Sequence, residues 1–483
     1  MINLFSKKEK DKISQYDKFS VIVIWFFISF SFLIFLYSYW QSTTQLSMFF
    51  SGHYLNYYII SLISFCFWIV ALFFKKNIRN NIAMIAISIV TGIYLVELSL
   101  YYYYLGVGSG GGMGVARFKA STEQGESPDG RSKVDVLIDL KQKKIVPSVL
   151  PMNFDVTGGI ILTDLKKVFP LAGISRKQTL FCNENGYYVI YESDRYGFNN
   201  NDNVWDSRVV DLAMVGDSFT HGACVNPDKN ISGSISKNKK NLSIVNLGIS
   251  GNGPIIELAS LVEYAKNIRP KKVLWIYYEG NDITVDLKRE EGVSILNKYL
   301  NPLYTQGLIK RQSEIDSAMI KHIDKSHKSK LFIYKTRAFR LFYTRLLLSR
   351  LFENIKKTFD DNSNNSNNSN NINNLDLDKF AKIIDRAKNL VESWGGELYF
   401  VYLPSYSRYL ESGINHGKLL EREKILNLVE YLDISIIDIH QKVFKNSLNP
   451  LEYFPYGLSG HYNEKGYKEI GNVIFNSLYK DIP

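Results

Sequence analysis

Four short blocks carry residue types that can do acyl chemistry together. Gly216–Gly222 reads GDSFTHG and places Ser218 in a tight turn of small residues after an apolar run. Asn246–Gly253 reads NLGISGNG, Glu279–Asp282 reads EGND, and Gly460–Tyr467 reads GHYNEKGY with His461 near its start. A serine hydroxyl is a weak nucleophile until a base takes its proton, and histidine suits that task near neutral pH. The tetrahedral intermediate of acyl transfer needs donors aimed at its oxyanion. The N–H groups of Ser218 and Gly251 and the amide of Asn281 are the natural three. Taken singly, a serine in a Gly-rich turn is a turn residue and an asparagine after a strand is a cap. Taken together in this order, they point to Ser218 as nucleophile and His461 as base. Asp217 is read as shaping the turn. His221, three residues after Ser218, would share a helical face with it and is read as a rim residue.

The blocks need a scaffold that brings distant segments to one rim. From residue 209 the chain alternates apolar strand, small-residue loop and helix. The strands are expected at 209–215, 242–249, 272–278, 397–403 and 434–439, each short and rich in β-branched or aromatic residues. This is the pattern of a parallel sheet covered by helices on both faces. Ligands of such sheets bind outside the carboxyl ends of the strands, where three of the four blocks fall; the fourth, with His461, precedes the last helix. Residues 285–375 interrupt the alternation with a basic, helix-patterned insertion. It ends in Asn362–Asn374, where nine of thirteen residues are Asn and a disordered loop is expected.

The four blocks resemble those of the SGNH/GDSL hydrolase superfamily: GDS around Ser218, the Gly block at Gly251, GxND at Asn281 and the His block at His461. The resemblance covers about residues 205–483 apart from the insertion. It implies a flavodoxin-like, three-layer α/β/α fold and an activity among esterases, lipases, carbohydrate deacetylases and polysaccharide O-acetyltransferases. Two positions depart from the family pattern. Glu279 stands where the GxND block has Gly, and Leu458 stands three residues before His461 where the family carries its triad Asp. Asp438, at the end of the fifth strand, is a candidate replacement; a backbone carbonyl or a bare Ser–His dyad are the others.

The first 105 residues are of a different kind. Phe19–Trp40, Leu55–Phe74 and Ile82–Leu105 are long apolar runs, broken only by Glu97 in the third. The first of them, 22 residues at 1.5 Å each, reaches ~33 Å and would cross a hydrocarbon core of about 30 Å. The head carries Lys7, Lys8, Lys10, Lys12 and Lys18, the next loop has no Lys or Arg, and the one after has Lys75, Lys76 and Arg79. The bias of cations toward the cytoplasm puts the head and second loop inside and everything after residue 105 outside. Glu97 is expected to reach toward the interface. Of the net charge of +11, the part not in this anchor lies mainly in the basic stretch from Lys310 to Lys357. That stretch reads as a solvated helical face; its alternative is contact with anionic lipid or an acidic polysaccharide. Nucleic acid does not fit a domain outside the membrane. The three Cys (Cys66, Cys182, Cys224) are too few for a disulfide framework, and a Cys182–Cys224 bridge is open.

The expected organisation is a transmembrane anchor over 1–105, a Gly-rich linker and small β-rich region over 106–204, and an SGNH hydrolase-like domain over 205–483. Runs such as VDVLIDL and YYVIYES make the middle region read as strands, without a legible role. The expected function is hydrolysis of O-acyl esters, on a cell-envelope carbohydrate, through an acyl-enzyme on Ser218. One alternative is O-acyl transfer to an envelope polysaccharide, which would need a partner membrane protein as acyl donor. Another is an inactive glycan-binding or assembly protein. No cofactor or metal is called for.

Overall fold

The structure is a computed structural model that describes residues 7–44, 48–106, 113–140, 143–155, 157–239, 241–349, 351–352, 376–410 and 416–479. Most of the Gly-rich linker and the whole Asn-rich tract lie outside the described residues. The chain forms two compact units: Met1–Tyr102 with Arg337–Arg350, and Tyr103–Thr336 with Leu351–Pro483.

The first unit is built on α1 (Lys7–Thr44), α2 (Met48–Leu72) and α3 (Lys76–Gly106). Each contains a stretch long and apolar enough to cross a membrane: Tyr16–Trp40, Leu55–Leu72 and Lys76–Tyr103. Large apolar side chains such as Ile22, Ile60 and Ile63 face outward, as lipid-facing residues must. Between α1 and α2, Phe27 stacks on Trp68 with centroids 4.5 Å apart, and the Ser31 and Ser64 hydroxyls meet at 2.8 Å. Small hydroxyl residues of this kind let helices hydrogen-bond in a medium without water.

Glu97 on α3 does not reach outward. It is buried, and its carboxylate accepts the backbone N–H groups of Tyr343 (3.0 Å) and Thr344 (2.7 Å) and the Thr344 hydroxyl (2.8 Å). It thereby caps the start of a helix over residues 342–349, whose first N–H groups have no acceptor within the helix itself. Tyr94 donates to the Phe339 carbonyl at 3.0 Å, and the Arg337 guanidinium lies 5.6 Å from the Tyr101 ring. The basic stretch read as one solvated face is thus divided: its part up to Thr336 belongs to the second unit, and Arg337–Arg350 belongs with the apolar helices.

The second unit is centred on a five-stranded parallel sheet: β1 (Leu212–Gly216), β2 (Ile244–Asn246), β3 (Lys272–Tyr278), β4 (Glu397–Leu403) and β5 (Ser435–Asp438). Its order is β2-β1-β3-β4-β5, the flavodoxin-like arrangement. Successive side chains of a strand point to opposite faces, and both faces are covered here. Ala213, Val215, Val273 and Trp275 pack into one apolar cluster, with Ile255 and Leu258 of α4 (Pro254–Ser260) and Ile384 of α5 (Leu377–Glu392). Leu212, Met214, Leu274 and Ile276 pack into the other, with Ile470 and Ile474 of α6 (Glu464–Tyr479). This double burial is why the strands read as continuous apolar runs.

Residues 115–204 form a cap of short elements. Three strands, Val146–Pro147, Gln178–Leu180 and Ile190–Glu192, make a small sheet. The VDVLIDL run is not a strand but a helix, Lys133–Asp139. Its start is a capping box: the Ser132 hydroxyl accepts the Asp135 N–H, and the Asp135 carboxylate accepts the Ser132 N–H, both at 3.2 Å. That local signal outweighs the alternating apolar pattern. The cap is tied to the sheet domain by a Cys182–Cys224 disulfide.

Candidate active site

Ser218 stands where β1 ends. Gly216 has no room for a side chain, since a Cβ there would lie 2.1 Å from Thr220 Oγ1 and 2.8 Å from the Ile276 carbonyl. The backbone can therefore turn hard against β3 and start a one-turn helix, Ser218–His221. Asp217 caps that turn by accepting the Phe219 N–H at 2.9 Å. Gly222 closes it in the left-handed conformation, φ 80°. Ser218 is left half-exposed at the carboxyl rim of the sheet, among buried neighbours.

His461 Nε2 lies 2.8 Å from Ser218 Oγ. On the other side of the ring, Nδ1 lies 3.1 Å from Glu184 Oε2, which also accepts the His461 backbone N–H at 2.8 Å. Arg117 sits 3.7 Å from the second Glu184 oxygen and donates to the Ser459 carbonyl at 2.6 Å and 3.0 Å, fastening the histidine loop. With Nδ1–H given to a carboxylate, Nε2 is the lone-pair nitrogen facing the serine, the tautomer a general base requires. Burial works against the Glu184 charge, but His461 and Arg117 prevail and hold its carboxyl down at about 2. Burial likewise works against a charged His461, but the Glu184 carboxylate prevails and raises its pKa above the ordinary value.

The carboxylate on His461 thus comes from the cap, not from the fifth strand. Asp438 pairs with Arg422 and accepts the Gln441 N–H at 3.3 Å, so its charge is already engaged on β5, at the sheet edge. The sequence held one pointer to Glu184. If Cys182 bridges Cys224, residues 182–184 must lie beside the turn that carries Ser218. Glu184, Cys224 and His461 are also close enough together to share a cation, but the Cys224 sulfur is spent in the disulfide.

Gly251 and Asn281 follow the strands that flank β1 in the sheet. Gly251 has φ 77°, and a Cβ on it would lie 2.5 Å from Met152 Sδ of the cap. Its carbonyl accepts from Arg289. Asn281 donates one amide hydrogen to Asp286, which also pairs with Arg289. The same Asp286–Arg289 pair therefore steadies both candidate oxyanion donors. The next residue, Glu290, accepts the N–H groups of Gly253 (2.6 Å) and Ile255 (2.8 Å) and so pins the far end of the Gly loop.

Glu279, the departure from the Gly of the family pattern, is buried and accepts the Ser405 N–H at 2.7 Å, the Ser405 hydroxyl at 2.8 Å and the Arg408 Nε at 3.0 Å. It joins the ends of β3 and β4. His221 is not at the rim. It is fully buried, its Nδ1 accepts the Ser250 N–H at 3.2 Å, and its Nε2 lies 3.1 Å from the Tyr191 hydroxyl. Burial drives its pKa down to about 3, so the ring is neutral.

Strand order defines a flavodoxin-like α/β/α domain, and the Ser218–His461–Glu184 relay at its rim has the geometry of a serine hydrolase. No family model and no curated protein matches the chain. Solved structures do. A lipolytic protein of the G-D-S-L family from Desulfitobacterium hafniense is 12% identical, with 55% of this chain and 98% of that one covered and a TM-score of 0.30. A member of the same family from Veillonella parvula is 11% identical, with 57% and 100% covered and a TM-score of 0.32. The acetyl xylan esterase AlAXEase is 10% identical, with 56% and 100% covered and a TM-score of 0.31.

Proposed function

We propose that the chain is a membrane-anchored serine esterase that hydrolyses O-acyl esters of a cell-envelope carbohydrate, with its α/β/α domain outside the cytoplasmic membrane. The observation that carries this reading is the continuous relay from Ser218 Oγ through His461 to Glu184, at 2.8 Å and 3.1 Å. The apolar helices supply the anchor. Support for the outward orientation comes from the Lys-rich head and from the Cys182–Cys224 bridge, because disulfides persist in oxidising compartments.

Ser218 Oγ attacks the ester carbonyl carbon while His461 Nε2 takes its proton. The carbonyl π pair moves to oxygen, and the Gly251 N–H and the second amide hydrogen of Asn281 hold that oxyanion. Glu184 stabilises the imidazolium. Collapse expels the sugar alkoxide, which takes the proton from His461 and leaves an acyl-Ser218. Water attacks the acyl-enzyme with His461 again as base, and the acid departs. Turnover of an aryl acetate by the full chain in detergent, lost in Ser218→Ala, tests the reading. Adding a glycan separates hydrolysis from transfer: free acid at an unchanged rate fits an esterase, and acylated sugar formed at its expense fits an acyltransferase.

A further inference from the structure

A cleft of about 930 Å³ opens at the opposite end of the sheet from Ser218. Its position follows from its walls. Arg269 comes just before β3 begins at Lys272, and Trp394, which donates to the Pro270 carbonyl at 3.0 Å, comes just before β4 begins at Glu397. β3 has seven residues, so at ~3.3 Å each the two ends of the sheet are about 20 Å apart.

Four cations line this cleft: Lys266, Arg269, Lys310 and Arg386. Among the described residues none of their side chains has a carboxylate partner; the one side-chain hydrogen bond they make is from Arg386 to the Pro302 carbonyl, at 3.1 Å. The Arg386 Nε is buried with no acceptor, and burial lowers the arginine's pKa. The cleft's carboxylate, Glu263, forms no ion pair with any of them. It is saturated by the Tyr299 and Thr305 hydroxyls (2.7 Å and 2.9 Å) and the Gln306 and Leu308 N–H groups (2.5 Å and 3.0 Å). Other arginines on this unit are paired, Arg195 with Asp202 and Asp206 and Arg311 with Asp164 and Glu314, although the exposed Arg208 is not. Tyr304 and Trp394 add flat apolar faces beside the charges, the mix of aromatic wall and few polar anchors that ligand clefts use.

We infer that this cleft binds an anionic glycan, a sugar chain bearing carboxylate groups, held by the unpaired cations Lys266, Arg269, Lys310 and the half-buried Arg386. That the ligand is a glycan rests on the esterase reading; that it is anionic rests on the cleft alone. Because the cleft is remote from Ser218, it holds the polymer rather than the scissile ester. It therefore lowers KM for an acylated acidic polysaccharide and leaves small esters untouched.

The test is calorimetric titration of the full-length Ser218→Ala protein in detergent, which binds without turnover. The probes are hexagalacturonate, neutral xylohexaose and inorganic phosphate. Hexagalacturonate should bind, more weakly as salt rises, and its Kd should increase at least tenfold in Arg386→Gln and in the exposed double variant Lys266→Gln/Arg269→Gln, each with an unchanged Tm. With native Ser218, both variants should keep their kcat/KM on an aryl acetate. No heat with hexagalacturonate, equal affinity for xylohexaose or phosphate, or unchanged Kd in both variants would overturn the inference. Labelling of Ser218 by a fluorophosphonate is read separately, so loss of the esterase reading and loss of this one are distinguishable.

Discussion

Glu184 and His461 stand 277 residues apart in the chain and meet at 3.1 Å between carboxylate and imidazole. The carboxylate of the relay is thus contributed by the cap, and the imidazole by the loop before the last helix. The familiar position three residues before the histidine is occupied by Leu458, which has nothing to offer an imidazole.

Replacing Glu184 by Gln should lower kcat for an aryl acetate by about 10⁴-fold, the size of effect seen when a triad acid loses its charge. The pH profile moves as well. His461 acts as base only when neutral, so activity rises with pH through its raised pKa. Without the carboxylate that pKa falls, and the acid limb of the variant should shift to lower pH even as its plateau drops. A plateau within tenfold of wild type would remove Glu184 from the relay.

Stability carries the same linkage with a definite sign. The Glu184 carboxyl is held at about 2, below its ordinary 4.5. Its contribution is full above pH 4.5 and is lost as pH falls toward 2. The raised His461 pKa contributes below pH 6.5 and is lost as pH rises through the folded value. Thermal melts of Glu184→Gln and wild type should therefore differ near neutral pH and converge only below about pH 2.

The disulfide should matter to rate as well as to stability. Cys182 lies two residues before Glu184, and Cys224 lies six after Ser218. Cys182→Ala/Cys224→Ala should cost about 2–4 kcal/mol and should lower kcat in the fraction still folded, because the acid loses its tether. Aryl acetate turnover before and after dithiothreitol, compared with the double variant, checks this. Dithiothreitol should have no effect on the double variant.

Much of the sheet was legible because parallel strands buried on both faces write themselves as unbroken apolar runs. Trp275 and Ile276 are each fully buried although they point to opposite faces. The turn at Ser218 was legible because only small residues fit there, as Gly216 shows against Thr220. Glu184 was not legible. It lies in a cap of two- and three-residue strands, where no periodicity exists to place a side chain, and its role depends on a contact across the whole domain. His221 was misplaced because helical spacing tells which face a residue shares, not which neighbour covers it; Tyr191 and Phe181 of the cap bury it. Glu97 was misread for a similar reason. Its partners, Tyr343 and Thr344, return from an insertion 246 and 247 residues later.

Glu97→Ala should uncap the helix over 342–349. Three hydrogen bonds to one carboxylate are lost, and a helix cap alone is worth ~1 kcal/mol. Amide exchange at Tyr343 and Thr344 should quicken by about tenfold or more. Exchange at those positions unchanged from wild type would show that the cap does not hold the segment.

Asn281→Ala should lower kcat by about 10²–10³ for the loss of one oxyanion donor, with KM for the aryl acetate little changed. An effect on KM alone would make Asn281 a binding residue.

The central claim is that Ser218 is activated as a nucleophile by His461. The most direct measurement is reaction of the full-length protein with a fluorophosphonate, followed by peptide mass mapping. The account predicts one adduct, on Ser218, absent from Ser218→Ala and formed much more slowly in His461→Ala. A folded protein that carries no adduct on Ser218, or that labels equally fast without His461, would contradict it.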